Sequence, residues 1–185
     1  MRDLHIHLGG AVPSSVLWEI LCDNGLQTQY RDFDSFHAAL TADPAEIRSL
    51  DDFLGRYFNV TELIQSSPAA ASVSAYQLVA KAYRRSRVSG VEMRYNPMKR
   101  VREGLHTLEA IILATIQGLE RASMHYKVDT GIILSLGRDV SLETNWSITD
   151  AAVTWRTRGN LHGAHGVVGI DLAGPESGRK EILDP

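Results

Sequence analysis

Apolar and polar positions alternate between two periods along the chain. Residues 3–8 repeat every second position, as a short strand does, and residues 128–136 form an apolar run of strand length. Residues 91–95 and 166–172 complete a set of four strand-like segments. Between them the spacing becomes helical. Pro13 can open a helix in its first turn, and Gly25 stops that helix after about residue 24. Residues 30–68 read as several short helices, in which Leu50, Phe53, Leu54, Tyr57 and Phe58 recur at helical spacing. Longer helices are predicted over 69–87, 106–124 and 146–158. The alternation of strand and helix predicts an α/β fold with parallel strands and helical crossovers. An open doubly wound sheet and half of a βα barrel both fit, a full barrel taking eight strands and about 250 residues.

Composition narrows the class. The 185 residues are 44% hydrophobic and 22% charged, as expected for one globular domain over 1–185. A net charge of −3 gives no case for nucleic acid or an anionic membrane as partner. No apolar run approaches the roughly 20 residues of a membrane span, and the charged N-terminal stretch is unlike a signal peptide. Cys22 is the only cysteine, which suits a reducing cytoplasm and excludes cysteine-rich zinc sites. A transition-metal site here must use histidine and carboxylates.

The chain opens with Asp3-Leu4-His5-Ile6-His7-Leu8-Gly9-Gly10. On a strand His5 and His7 share one face and Ile6 takes the other. The pair reads either as two ligands of one metal or as two hydrogen-bonded histidines. Its place at the C-terminal end of a strand is where α/β folds put chemistry. Gly9 and Gly10 allow close approach of a ligand or backbone. Residues 169–176, Gly-Ile-Asp-Leu-Ala-Gly-Pro-Glu, set a carboxylate, Asp171, and a small turn at another strand end.

Together with Val91-Glu92-Met93-Arg94-Tyr95-Asn96-Pro97, these motifs resemble the adenosine deaminase family of the amidohydrolase superfamily, in order and separation. The resemblance implies the N-terminal part of a (β/α)8 TIM-type barrel, about four of its eight strands, with a helical lid inserted at about 13–68. It implies one zinc ion, with His5 and His7 as its first two ligands. It makes His7, Gly9 and Gly174 substrate contacts, and it aligns Leu50, Phe53, Leu54 and Tyr57 with an apolar lid over a purine nucleoside. The implied chemistry is hydrolytic deamination in purine metabolism, in which hydroxide from a zinc-activated water replaces the 6-amino group. The third zinc histidine, the catalytic glutamate and the metal aspartates have no match and are expected beyond Pro185. The alternative is therefore a catalytically silent half-barrel that needs its C-terminal half, since a catalytic zinc takes three protein ligands. A related hydrolase of cyclic amides would need another ligand set.

Several further residues invite weighing. Family members carry an aspartate where Gly9 stands, meeting the ribose 5′ end. Its loss is expected to open space, and with it a preference for 5′-modified adenosines. Glu92 and Arg94 share a strand face and are expected to pair, while Asp171 is a candidate to orient a neighbouring ligand. Lys99, Arg100 and Arg102 read as a solvated loop. His162 and His165 precede the fourth strand segment and read as a surface loop at the end opposite the chemistry. His37, His106 and His125 read as exposed or capping.

Overall fold

The computed structural model describes residues 1–26, 28–156, 158 and 163–176. Four strands form one sheet: β1 (Arg2–His7), β2 (Gly90–Tyr95), β3 (Asp129–Gly137) and β4 (Ala164–Ala173). Each neighbouring pair is parallel, and the strands stand in chain order, β1-β2-β3-β4. A doubly wound sheet reverses its order at a switch point. This sheet does not, so of the two expected architectures the barrel arc holds. Its free edges among the described residues are β1 and β4.

An insert of short helices separates β1 from the rest: α1 (Leu8–Ala11), α2 (Ser14–Asp23), α3 (Phe33–Leu40), α4 (Leu50–Phe53) and α5 (Asn59–Ile64). Gly9 and Gly10 lie in the single turn of α1. A π-helical turn over Leu54–Phe58 joins α4 to α5, and the backbone stays right-handed helical through both junctions. Beyond the insert come α6 (Pro68–Ser86), α7 (Leu108–Tyr126) and α8 (Leu142–Thr154).

The two faces of the sheet follow from strand alternation. Val91, Met93 and Tyr95 of β2, with Ile132 and Leu134 of β3, face the helices and are at most 2% exposed. They pack with Leu78 and Val79 of α6, Ile111, Ile112 and Leu119 of α7, and Ile148 of α8 in one core. Each such side chain contributes about 1.5–3 kcal/mol by leaving water. Glu92, Arg94 and Ile133 point to the other face and stay half-buried. That open face is the lumen side of the arc.

Local signals set the helix ends. Ser67 Oγ accepts the Ala70 N–H and Thr107 Oγ1 accepts the Ala110 N–H, capping α6 and α7. α8 begins four residues before its expected start because Ser141 Oγ accepts the Thr144 N–H. Among the described residues no helix is long and apolar enough to cross a membrane.

Candidate active site

His5 and His7 lie on the lumen face at the C-terminal end of β1, with ring centroids 5.3 Å apart. Neither imidazole makes a hydrogen bond to another described residue. The His7 ring also meets Phe58 edge-on at 6.2 Å. Burial, the neighbouring His5 and the Arg94 guanidinium, in that order, hold the His7 pKa below its ordinary value. A neutral imidazole is the form that ligates a metal.

Both rings open into a cavity of about 560 Å³ at the C-terminal ends of the strands. Arg94 of β2, Ser135 of β3, and Asp171 and Gly174 at the end of β4 join them in its wall. Arg94 does not pair with Glu92, as expected, but reaches across β3. Its Nη1 donates to Asp171 Oδ2 at 2.6 Å and its Nη2 to the Leu4 carbonyl at 2.9 Å. Asp171 therefore orients an arginine, while its Oδ1 is buried without a hydrogen bond. Gly174 sits at φ +111°, where other residues are strained, and a Cβ there would come within 3.0 Å of Asp139 Oδ1. Its bare backbone thus lies against the cavity.

The insert closes one side. Leu50, Phe53 and Leu54 line the cavity, and so do Phe58 and Glu62, which the sequence reading left out of the site. Tyr57 does not line it. It faces a second cavity of about 390 Å³ behind α1, with His37 and Lys81. The π turn explains the exchange. The Asn59 N–H bonds to the Leu54 carbonyl, five residues back, so the wider winding carries position 58 rather than 57 onto the lumen face.

Position 9 also departs from expectation. Gly9 is buried and touches the second cavity, whereas Gly10 lines the first. The space expected at Gly9 is filled: a Cβ there would stand 2.2 Å from Glu62 Oε1 and 2.9 Å from the Phe58 ring. A preference for 5′-modified substrates therefore loses its motive. Behind this contact is a buried charge pair. Arg100, 0% exposed, sets Nη2 3.0 Å and Nε 2.9 Å from the two Glu62 oxygens. Its Nη1 donates to Gln65 Oε1, and Gln65 Nε2 donates to the Gly9 carbonyl.

Arg100 is thus no part of a solvated loop. A 3-10 turn over Pro97–Arg100, begun by the Asn96 side chain accepting the Met98 N–H, turns it inward. Lys99 pairs with Asp139 at 3.1 Å, and Arg102 alone of the three is exposed. The other described histidines do not line the main cavity. His165 is exposed within β4, toward its N-terminal end, rather than in a preceding loop. His162 lies outside the described residues. His37 bonds to Ser14 and His125 to Tyr76. Among the described residues no three His, Cys, Asp or Glu side chains stand together as a metal site. His5 and His7 suit a metal as two donors of a larger set.

The fold and the cavity define the class: part of a βα barrel with its cavity at the strand C-termini. Two solved structures share the fold. An adenine deaminase from Arthrobacter aurescens superposes with TM-score 0.78 and 18% identity, over 96% of this chain and 49% of that one. An amidohydrolase from Burkhoderia ambifaria, solved with bound zinc, gives TM-score 0.76 and 19% identity, over 95% and 44%. The chain belongs to the adenosine deaminase family, whose model matches residues 1–184. An adenosine deaminase of Clostridium perfringens strain ATCC 13124 is 28% identical over 174 residues, 94% of this chain and 49% of the relative. One from Vibrio vulnificus strain YJ016 is 27% identical over the same shares. The chain spans about half the length of the curated relatives it matches.

Proposed function

We propose that this chain supplies the first half of the active site of a zinc-dependent hydrolase that deaminates adenosine or a related 6-aminopurine nucleoside. The observation that carries this reading is the pair His5 and His7, which share one face at the cavity mouth with ring centroids 5.3 Å apart. They would hold the zinc through two imidazole nitrogens. When bound, zinc lowers the pKa of water to about 7 and so supplies hydroxide at neutral pH.

The chain's own residues position the substrate. Leu50, Phe53, Leu54 and Phe58 give an apolar lid that excludes water from the purine. Gly174 lets its backbone meet the ring edge, and His7 touches the nucleoside as well as the metal. Arg94 and Asp171 fix each other across the floor of the cavity. The partner is a small purine nucleoside, in the purine metabolism of a cytoplasm that suits the exposed thiol of Cys22.

One observation favours a second reading, in which the 185-residue polypeptide alone is silent. Among the described residues no three His, Cys, Asp or Glu side chains gather closely enough to hold a metal, and a catalytic zinc takes three protein ligands. The remaining donors and the proton-transferring carboxyl group then come from a further half-barrel. Zinc content and ammonia release from adenosine separate the readings. We expect the 185-residue chain to hold less than one equivalent of zinc and to release no ammonia, and the protein with its complete barrel to do both. Stoichiometric zinc with turnover by the 185 residues removes the second reading. A complete, zinc-loaded barrel that releases no ammonia from any 6-aminopurine nucleoside removes the first.

A further inference from the structure

Glu62 enters the main cavity from α5, yet its Oε1 ends where a side chain on Gly9 would begin, 2.2 Å from the ideal Cβ. Positions 9 and 62 therefore compete for one volume, and a side chain from either excludes the other. The carboxylate is held from behind. Arg100 grips both oxygens, lies with its guanidinium 5.0 Å from the Tyr95 ring centre, and is tied through Gln65 to the Gly9 carbonyl.

A carboxylate buried only for packing is a poor use of the site, because its desolvation costs more than that of an apolar side chain. Phe58, one turn earlier on the same face, fills space without that cost. The Glu62 carboxylate also keeps spare capacity. Ionised, it offers about four lone-pair sites, and Arg100 is its sole hydrogen-bonding or ion-pair partner among the described residues. It shares the cavity wall with His5 and His7 of β1.

We propose that Glu62 is the acceptor for a ligand hydroxyl in this cavity, supplied by α5 in place of a side chain at position 9. On the nucleoside reading above, on which this inference rests, the hydroxyl is the one at the ribose 5′ end. Position 9 then lacks a carboxylate because the insert brings one to the same place.

Ammonia release by the complete, zinc-loaded protein, read as kcat/KM for adenosine against 5′-deoxyadenosine, tests this. The wild-type protein is expected to favour adenosine by about tenfold or more, the range for a hydrogen bond to a charged acceptor. Glu62→Gln is expected to bring the ratio within about threefold, since the amide is a weaker, neutral acceptor. Glu62→Asp keeps a charge for Arg100 while drawing the oxygens away from the cavity, and lowers the ratio in a variant that retains its buried pair. A role in folding alone would change neither ratio. A wild-type ratio near one, or an unchanged ratio in a folded Glu62 variant, overturns the inference and leaves the deaminase reading standing. Failure of the complete protein to deaminate either nucleoside removes that reading and the inference with it.

Discussion

A methyl group on Gly9 would stand 2.2 Å from Glu62 Oε1, closer than any real contact. The carboxylate cannot simply swing away, because Arg100, wholly buried, is held against it and against Gln65. Gly9→Ala is therefore expected to destabilise the fold by about 1–3 kcal/mol, the usual cost of overpacking. Urea unfolding followed by circular dichroism measures it, and an unchanged midpoint would mean that the pair yields to the added carbon. The open space expected from the sequence predicts no such loss. Sequence shows that a side chain is missing at position 9 but not what fills its place. Glu62 is 53 residues further on, and nothing local marks it as the neighbour. Arg100 was misread for a related reason. Three cations in a short stretch resemble a solvated loop until a turn points one of them at a buried partner.

At the level of elements, the apolar pattern is enough to find every described strand and long helix, and β2, β3 and the long helices bury one face against a single core. It was weaker where winding departs from 3.6 residues per turn. The insert's lumen face was read at α-helical spacing as Leu50, Phe53, Leu54 and Tyr57, and the π turn replaced Tyr57 with Phe58. Side-chain hydrogen bonds that fix element ends were also illegible. Asn145 of α8 illustrates them: its Oδ1 accepts the Gly137 N–H and its Nδ2 donates to the Gly137 carbonyl, both at 2.9 Å. These bonds pin the end of β3, where Gly137 forms part of the cavity wall. Asn145→Ala leaves two buried backbone groups of Gly137 unpaired and is expected to cost about 1–3 kcal/mol for each group left unsatisfied. Hydrogen exchange should show the loss concentrated at the C-terminal end of β3. Uniform loss of protection across the sheet would argue against a local tie.

For the whole molecule, the arc of four strands leaves work for a neighbour. Helices cover the outer face of β2 and β3, but on β4 Ile170 is 49% and Leu172 45% exposed, and on β1 Leu4 is 54% exposed. Val168, on the lumen side, is 45% exposed as well. Neither edge pairs with a further strand along its length among the described residues, and such an edge is a template for pairing with another strand. The same strands in a closed barrel have no edges. The isolated 185-residue chain is therefore expected to associate as its concentration rises, through these edges and the apolar side chains along them. Sedimentation velocity over a concentration series tests this. A concentration-independent monomer would show that the edges are already covered. Ile170→Lys with Leu172→Lys places charge on the exposed face of β4 while leaving the buried core untouched, so it should shift the chain toward monomer with its circular dichroism spectrum unchanged. Association that persists in this variant would move the contact to the β1 edge, where Leu4→Lys becomes the deciding substitution.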